Sequence, residues 1–263
     1  TYVSLTPEQI AEDLVIEDGR NAAVLPDDPL RTGGGGLLVI DAGPVVERVV
    51  FRGCEADLGG AACFVRSIAH MTDCIFDGNM AAEAGGAVAS IDGNILVEGG
   101  RFVNNVAGEF GGGLAVRLGS ATIDNVEMRE NVAARGGGIH ADAAPDDEPV
   151  SVIHAVIVDN QSESRGGGIE AVIDGPGVQL IASLVCGNVI DEVAGPVFVD
   201  DASEVCQCYS DLTGDGQTNG ADLGLLLASF GSCDVFCLAD IDGDGDGTVS
   251  DLGLMLAGWG FCP

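Results

Sequence analysis

Six glycine doublets, each followed by small or aliphatic residues, recur along most of the chain: GGLL at 35, GGAA at 59, GGAV at 85, GGLA at 112, GGIH at 137 and GGIE at 167, with a degenerate GPVF at 195. A second marker keeps the same time, an apolar residue three places before an asparagine. It pairs Phe76 with Asn79, Phe102 with Asn105, Met128 with Asn131, Ile157 with Asn160 and Val185 with Asn188, and Phe51 with Cys54 one coil earlier. Two markers sharing a period of about 26 residues constrain the fold severely. A unit that short cannot bury its own apolar face, so successive units must stack.

Short apolar runs such as Ile95–Val97, Ala121–Val126 and Val152–Val158 make the stacked elements strands. The prediction is a mainly β fold, a parallel β-helix of about seven coils, roughly 34 Å tall at ~4.8 Å per coil. The Phe/Met/Ile slot faces inward. The asparagine after it takes a left-handed bend and bonds to the one above, so Asn79, Asn105, Asn131, Asn160 and Asn188 form a ladder. The glycine doublet marks a corner where backbone passes close to backbone. Aligned on the doublets, Leu37, Ala61, Ala87, Leu114, Ile139, Ile169 and Val197 form one inward column. Val39, Cys63, Ala89, Val116, Ala141, Ala171 and Val199 form the next.

The chain ends in a different rhythm. DLTGDGQTNGAD (211–222) and DIDGDGDGTVSD (240–251) both carry oxygen-bearing side chains at positions 1, 3, 5, 7, 9 and 12 and a glycine at 6, the pattern of an EF-hand calcium loop. The ligands are Asp211, Thr213, Asp215, Gln217, Asn219 and Asp222 in the first loop, around Gly216. In the second they are Asp240, Asp242, Asp244, Asp246, Thr248 and Asp251, around Gly245. Carboxylates at that density repel unless a cation sits among them, so two Ca²⁺ ions are expected, the second bound more tightly because Thr213 is a weak ligand. A helical stripe follows each loop: Leu223, Leu226, Leu227 and Phe230, then Leu252, Met255, Leu256 and Trp259.

Residues 206–263, with these paired loop–helix repeats, resemble a type I dockerin. The resemblance implies two calcium ions and, in most members, a cohesin partner chosen by hydroxyl-bearing residues at loop positions 10 and 11. Here those positions hold Gly220, Ala221, Val249 and Ser250, three of them without a hydroxyl, so calcium binding carries over and cohesin docking does not. Residues 33–200, with their GG-A-[IV] and F-x-x-N signatures, resemble the repeats of polymorphic outer-membrane and autotransporter-like surface proteins. That resemblance implies a right-handed parallel β-helix displayed outside the cell, usually in adhesion.

Cys208 and Cys237 each stand three residues before a loop, and Cys233 and Cys262 stand at equal offsets beyond. Such symmetry argues for disulfides and an oxidising compartment. Two pairings respect it, 208–233 with 237–262 or 208–262 with 233–237. The second is preferred, because a helix length separates each loop start from its own helix end. Cys186–Cys206 and Cys63–Cys74 are further candidates.

Net charge is −32, with no lysine among the 10 basic residues, which excludes binding nucleic acid through phosphate neutralisation. No apolar run reaches membrane-spanning length. With no signal peptide and no initiator Met, the chain reads as a mature, secreted product. Thr6, Pro7 and Glu8 predict a short helix in TPEQIAEDL that plugs the first coil. The resulting division is an N-terminal cap at 1–32, a β-helix at 33–205 and a calcium-binding module at 206–263.

Polysaccharide-active β-helices need clustered carboxylates on one strand face, often beside a basic group. The acid pairs Asp27–Asp28, Asp146–Asp147 and Asp200–Asp201 are scattered, no arginine stands at a repeat position beside a carboxylate column, and His70, His140 and His154 read as outward, solvated residues. The sequence therefore favours an extracellular structural or adhesive protein without catalytic residues, assembling with its own copies or a surface protein through the C-terminal module. The rival is a lyase or hydrolase carrying a docking tail.

Overall fold

The computed structural model describes residues 3–4, 10–20, 24–25, 28–206, 210–213, 217–232, 241, 246–257 and 259–261. The chain divides into two compact units, Thr1–Val205 and Cys206–Pro263.

The first unit is a parallel β-solenoid. Three sheets each run through eight rungs, and a fourth, five-stranded sheet covers the middle of the stack. One rung shows the plan: Val88–Ile91 in the first sheet, Asn94–Glu98 in the second, Arg101–Val103 in the third and Val106–Ala107 in the fourth. Every strand of these four sheets pairs in parallel with the strand one coil away, as Val88–Ile91 does with Leu114–Arg117.

Strands this short turn corners through residues with positive φ. Between the second and third sheets the corner residues are Asp13, Arg48, Asp73, Gly99, Asn125, His154 and Ala182. Before the first sheet they are all glycine: Gly34, Gly59, Gly85, Gly111, Gly136 and Gly166. Space explains the difference. A Cβ on Gly85 would lie 2.2 Å from the Val88 carbonyl oxygen, whereas one on Gly78, at another corner, would meet nothing within 4 Å. The glycine that follows is closed off by the next coil, since a Cβ on Gly86 would lie 2.2 Å from the Gly112 oxygen.

The expected left-handed bend at the asparagines falls one residue earlier, on Gly78, Asn104, Glu130, Asp159 and Gly187. The asparagine itself must turn its amide into the interior, and its neighbour takes the strained backbone.

The inward column of the third sheet is Ile16, Phe51, Phe76, Phe102, Met128, Ile157 and Val185. Its three phenylalanines stack, with ring centroids 5.2 and 4.4 Å apart. All are fully buried, and each contributes about 1.5–3 kcal/mol by leaving water.

The first-sheet columns differ from the doublet alignment. Leu37 registers with Ala62, Val88, Leu114, Ile139, Ile169 and Val193, and Val39 with Phe64, Ser90, Val116, Ala141 and Ala171. Ala61 and Ala87 precede their strands, Cys63 and Ala89 face outward, and Val197 and Val199 belong to the second sheet. The true marker is the corner glycine three residues before the column residue, as Gly34 is before Leu37 and Gly85 before Val88, because coils with three or four glycines shift the last doublet by one place beyond it.

The N-terminal helix is also corrected. Ile10–Glu12 and Val15–Glu17 are strands that pair with Val45–Glu47 and Val50–Arg52, and Val3–Ser4 pairs with Leu37–Leu38. This segment adds a rung to all three sheets, burying Ala11 and Ile16 on the end of the core. Thr6, Pro7 and Glu8 lie outside the described residues.

Length varies between coils chiefly at one place. Between the first and second sheets the connection is two residues after Ile91 and Arg117, seven after Asp142 and six after Ala171. The longest closes on itself, the Ala144 N–H donating to Asp147 Oδ2 at 2.7 Å and the Asp147 N–H to the Ala144 carbonyl at 2.9 Å.

The second unit repeats itself with a 29-residue offset. Helix α1 (Gly220–Ala228) matches α2 (Val249–Ala257). Gln217–Thr218 pairs antiparallel with Gly260–Phe261, and Gly231–Ser232 pairs in the same way with Asp246–Gly247. Each repeat thus lends a strand to the other, as a local two-fold requires. Leu226 and Met255 are buried together, with Leu212, Leu223, Ile241 and Leu252 packed against them. The expected helical stripe is narrower than its spacing suggests. Leu227, Phe230, Leu256 and Trp259 stay exposed, because the buried faces run through Asp222 with Leu226 and Asp251 with Met255.

Candidate functional site

Of the calcium-loop residues, the structure describes Asp211, Thr213, Gln217, Asn219 and Asp222 in the first loop, and Asp246, Thr248 and Asp251 in the second. Asp215, Asp240, Asp242, Asp244 and the turn glycines Gly216 and Gly245 lie outside the described residues. So do Cys208, Cys233, Cys237 and Cys262.

The two position-12 aspartates are fully buried and equivalently held. Asp222 accepts from the Asn219 N–H at 2.8 Å through one oxygen, and from the Thr213 N–H and Oγ1 at 2.8 Å each through the other. Asp251 accepts from the N–H groups of Thr248 at 2.6 Å and Ile241 at 2.8 Å. Burial is the largest influence on Asp222 and pushes its carboxyl up. The N–H groups of Asn219 and Thr213 outweigh it and hold the group below the usual carboxylate range.

The same residues start the helices. Asn219 caps α1 by accepting from the Ala221 N–H while Asp222 returns a bond to the Asn219 N–H, and Thr248 stands in the matching place before α2. The N-x-x-D and T-x-x-D patterns before an apolar run carry that signal in the sequence. Among the described residues no group of three or more His, Cys, Asp or Glu side chains forms a metal site. The donors present are hard oxygens and include the buried carboxylates of Asp222 and Asp251, the chemistry that suits Ca²⁺.

The asparagine column forms a continuous ladder. Nδ2 of Asn79, Asn105, Asn131 and Asn160 donates to Oδ1 of the next asparagine at 2.9, 2.9, 2.8 and 2.9 Å. Each Oδ1 also accepts a main-chain N–H from the preceding rung, beginning with Cys54 onto Asn79 at 3.0 Å. Glu192 ends it, accepting from Asn188 Nδ2 at 2.5 Å and from the Asn188 N–H at 3.2 Å. Burial pushes the Glu192 carboxyl up to about 7.

Cys63 and Cys74 are not paired. Both are free and buried, Cys63 in the outer apolar cluster and Cys74 in the solenoid core, on opposite sides of the wall. Cys54 is likewise free, while Cys186 and Cys206 are disulfide-bonded.

The structure also assembles a site that the repeat pattern does not announce. His140 faces outward as expected, yet it is only 6% exposed. Its Nδ1 lies 3.0 Å from Glu170 Oε2, and Arg135 Nε lies 3.0 Å from the same carboxylate. Burial is the largest influence on Glu170 and pushes its carboxyl up, but the bonds from His140 and Arg135 prevail and hold it below its ordinary range. The Phe110 ring stands 4.7 Å from the imidazole and 5.6 Å from the Arg135 guanidinium carbon. Arginines therefore do stand beside carboxylates at repeat positions: Arg135 here, and Arg66 on Asp41 at a corner, 2.7 Å apart. The missed signal is the outward column Leu38, Cys63, Ala89, Ala115, His140 and Glu170, which turns polar at one end once the register is right.

Compared with known proteins, the chain matches no family model, no curated protein and no solved structure.

Proposed function

We propose that this chain is an extracellular structural or adhesive protein without catalytic residues, in which the β-solenoid is the scaffold and the C-terminal unit, stabilised by two Ca²⁺ ions, joins it to further copies or to a surface protein. The observation that carries this reading is the 29-residue duplication of the C-terminal unit. Two acidic loops with buried aspartates at position 12 each lead into a helix, as in a dockerin-like module. The duplication also leaves an apolar set outside the core twice over: Leu225, Leu227 and Phe230, then Leu254, Leu256 and Trp259. Exposed apolar groups in register favour a partner in contact with both repeats. The surface-repeat resemblance of residues 33–200 supports display outside the cell.

Calorimetry with Ca²⁺ tests the module, with two ions expected and Asp240→Ala weakening uptake more than Thr213→Ala. Light scattering at constant ionic strength tests assembly. Chelation should dissociate the oligomer and added Ca²⁺ rebuild it, because sodium screens charge but cannot fill an oxygen cage. A monomer whose size and melting ignore Ca²⁺ would overturn the reading.

One observation favours a second reading, a polysaccharide lyase or hydrolase: the buried His140–Glu170 pair, joined by the half-buried Arg135, beside a cleft. A polyuronate lyase assay decides that case, and turnover lost in His140→Gln would establish it.

A further inference from the structure

The middle of the solenoid carries a trough on its outer surface, about 360 Å³ in volume, open along one side. Three rungs build it. Each contributes one residue at the end of the fourth sheet and two outward residues of the first: Ala84 with Ala89 and Ile91, Phe110 with Ala115 and Arg117, Arg135 with His140 and Asp142. The hollow exists because the floor column shrinks to Ala89 and Ala115 between Cys63 and His140. The neighbouring outer surface, where Leu38, Leu58, Cys63 and Val65 pack together, is filled instead.

Three polar groups of the trough, on His140, Arg117 and Asp142, keep hydrogen-bonding capacity to spare. His140 is more than nine-tenths buried, and its Nδ1 is engaged by Glu170. An ionised carboxylate only accepts, so Nδ1 carries a proton, and Nε2 is the ring nitrogen left to meet a ligand. Nε2 has no hydrogen-bond partner among the described residues. Neither the Arg117 guanidinium nor the Asp142 carboxylate makes an ion pair or side-chain hydrogen bond among them, although their strands lie side by side. The half-buried Phe110 ring supplies an apolar wall.

A ligand that fits must offer several hydroxyls, one at Nε2 and one donating to the Asp142 carboxylate, accept from Arg117, and lay one apolar face against Phe110. A metal ion finds no group of three or more His, Cys, Asp or Glu side chains to hold it among the described residues. Anions are disfavoured too, because Glu83, Glu109 and Asp142 line the trough in a chain of net charge −32. We infer that the trough is a binding site for a neutral saccharide, with Phe110 as the platform for a sugar ring and His140, Asp142 and Arg117 as its hydroxyl partners. The volume sits at the lower end of small-molecule sites, about 300–1,000 Å³, and suits a short stretch of sugar units.

This site lies wholly within the solenoid, so its test is independent of the calcium module and is run on the full chain with chelator and again with Ca²⁺. Calorimetry and amide-shift mapping are carried out with neutral hexose oligosaccharides, with oligouronates and with a diamine as cationic probe. Binding of a neutral oligosaccharide at micromolar to millimolar strength is expected, with shifts at Ala115, Arg117 and His140. Phe110→Ala and the isosteric Asp142→Asn should each weaken it about tenfold or more. Ile68→Ala, at an exposed position of the second sheet, should not change it. Preference for the uronate or the diamine would overturn the assignment. So would binding that both trough variants leave intact, or no binding by any neutral oligosaccharide to a chain whose circular dichroism is native.

Discussion

Replacing Asn105 by Ala removes the middle of the ladder, and its cost can be worked bond by bond. Asn105 Oδ1 accepts from the Asn79 N–H at 3.0 Å and from Asn79 Nδ2 at 2.9 Å. Its Nδ2 donates to the Phe76 carbonyl at 3.0 Å and to Asn131 Oδ1 at 2.9 Å. Alanine deletes all four bonds while keeping the Asn105 N–H on Asn131 Oδ1. The site is 0% exposed, so water cannot stand in without prising two coils apart. An orphaned buried group costs about 1–3 kcal/mol, and the Asn79 N–H and the Phe76 carbonyl both lose a partner. Partial relaxation offsets some of this, leaving a loss of about 3 kcal/mol, within roughly 2–5. The control is Asn94→Ala, whose Oδ1 accepts only from Ser120, at 3.1 and 3.0 Å, at an exposed position of the second sheet, and which should cost within ~0.5 kcal/mol. Urea unfolding followed by far-ultraviolet circular dichroism reads the solenoid. The fluorescence of Trp259, the single tryptophan, reports the other unit and should not move. Equal costs for the two variants would refute the ladder as a source of stability.

The Glu192 carboxyl, with a folded pKa of about 7 against an ordinary 4.5, holds its proton more tightly folded than unfolded. Its contribution is fully present below about pH 4.5 and is lost as pH rises through about 7, an effect on the order of 3 kcal/mol. Glu192→Gln should therefore be the more stable protein at pH 8 and close to the parent at pH 4, as melting curves at both values would show. Gly85→Ala should destabilise by well over the ~1–2 kcal/mol of a left-handed alanine, since its Cβ meets the Val88 oxygen at 2.2 Å, whereas Gly78→Ala should cost only that amount in denaturant titration. Burial raises the thiols of Cys63 to about 12 and Cys74 to about 11, so both should resist a maleimide in the native state and react on unfolding, with mass spectrometry counting the adducts.

The solenoid was legible because its rules are local and repeated. Phe76, Phe102 and their asparagines recur in a fixed relation, and each asparagine finds its partner one period away. Register was harder. Glycine runs of two, three and four look alike in sequence, and only the left-handed backbone and the clash behind one glycine, as at Gly85 with Val88 or Gly34 with Leu37, say which one holds the corner. That one-place slip turned Cys63 and Ala89 inward on paper and hid the outward column that ends in His140 and Glu170. The N-terminal segment misled for a different reason. Thr6-Pro7-Glu8 has the chemistry of a helix start, but an open sheet edge offers Ile10–Glu12 a ladder of main-chain partners that local preference does not register. In the C-terminal unit the 29-residue repeat and the helix caps could be read directly. The width of the buried helix face could not, because it depends on which side the two short helices turn to each other.

The uneven connections between the first and second sheets have a consequence for how such a chain can diversify. At the glycine corner, both the chain's own carbonyl and the neighbouring rung forbid even a methyl group, so neither length nor composition can drift there. Between Asp142 and Val150 the chain already carries a turn that satisfies its own hydrogen bonds and leaves the strands on either side in register. Change is thereby channelled to one edge of the stack, where each coil offers a separate berth for new sequence. A lineage of such chains would keep a common spine and vary along a single seam, writing its differences where folding does not read them.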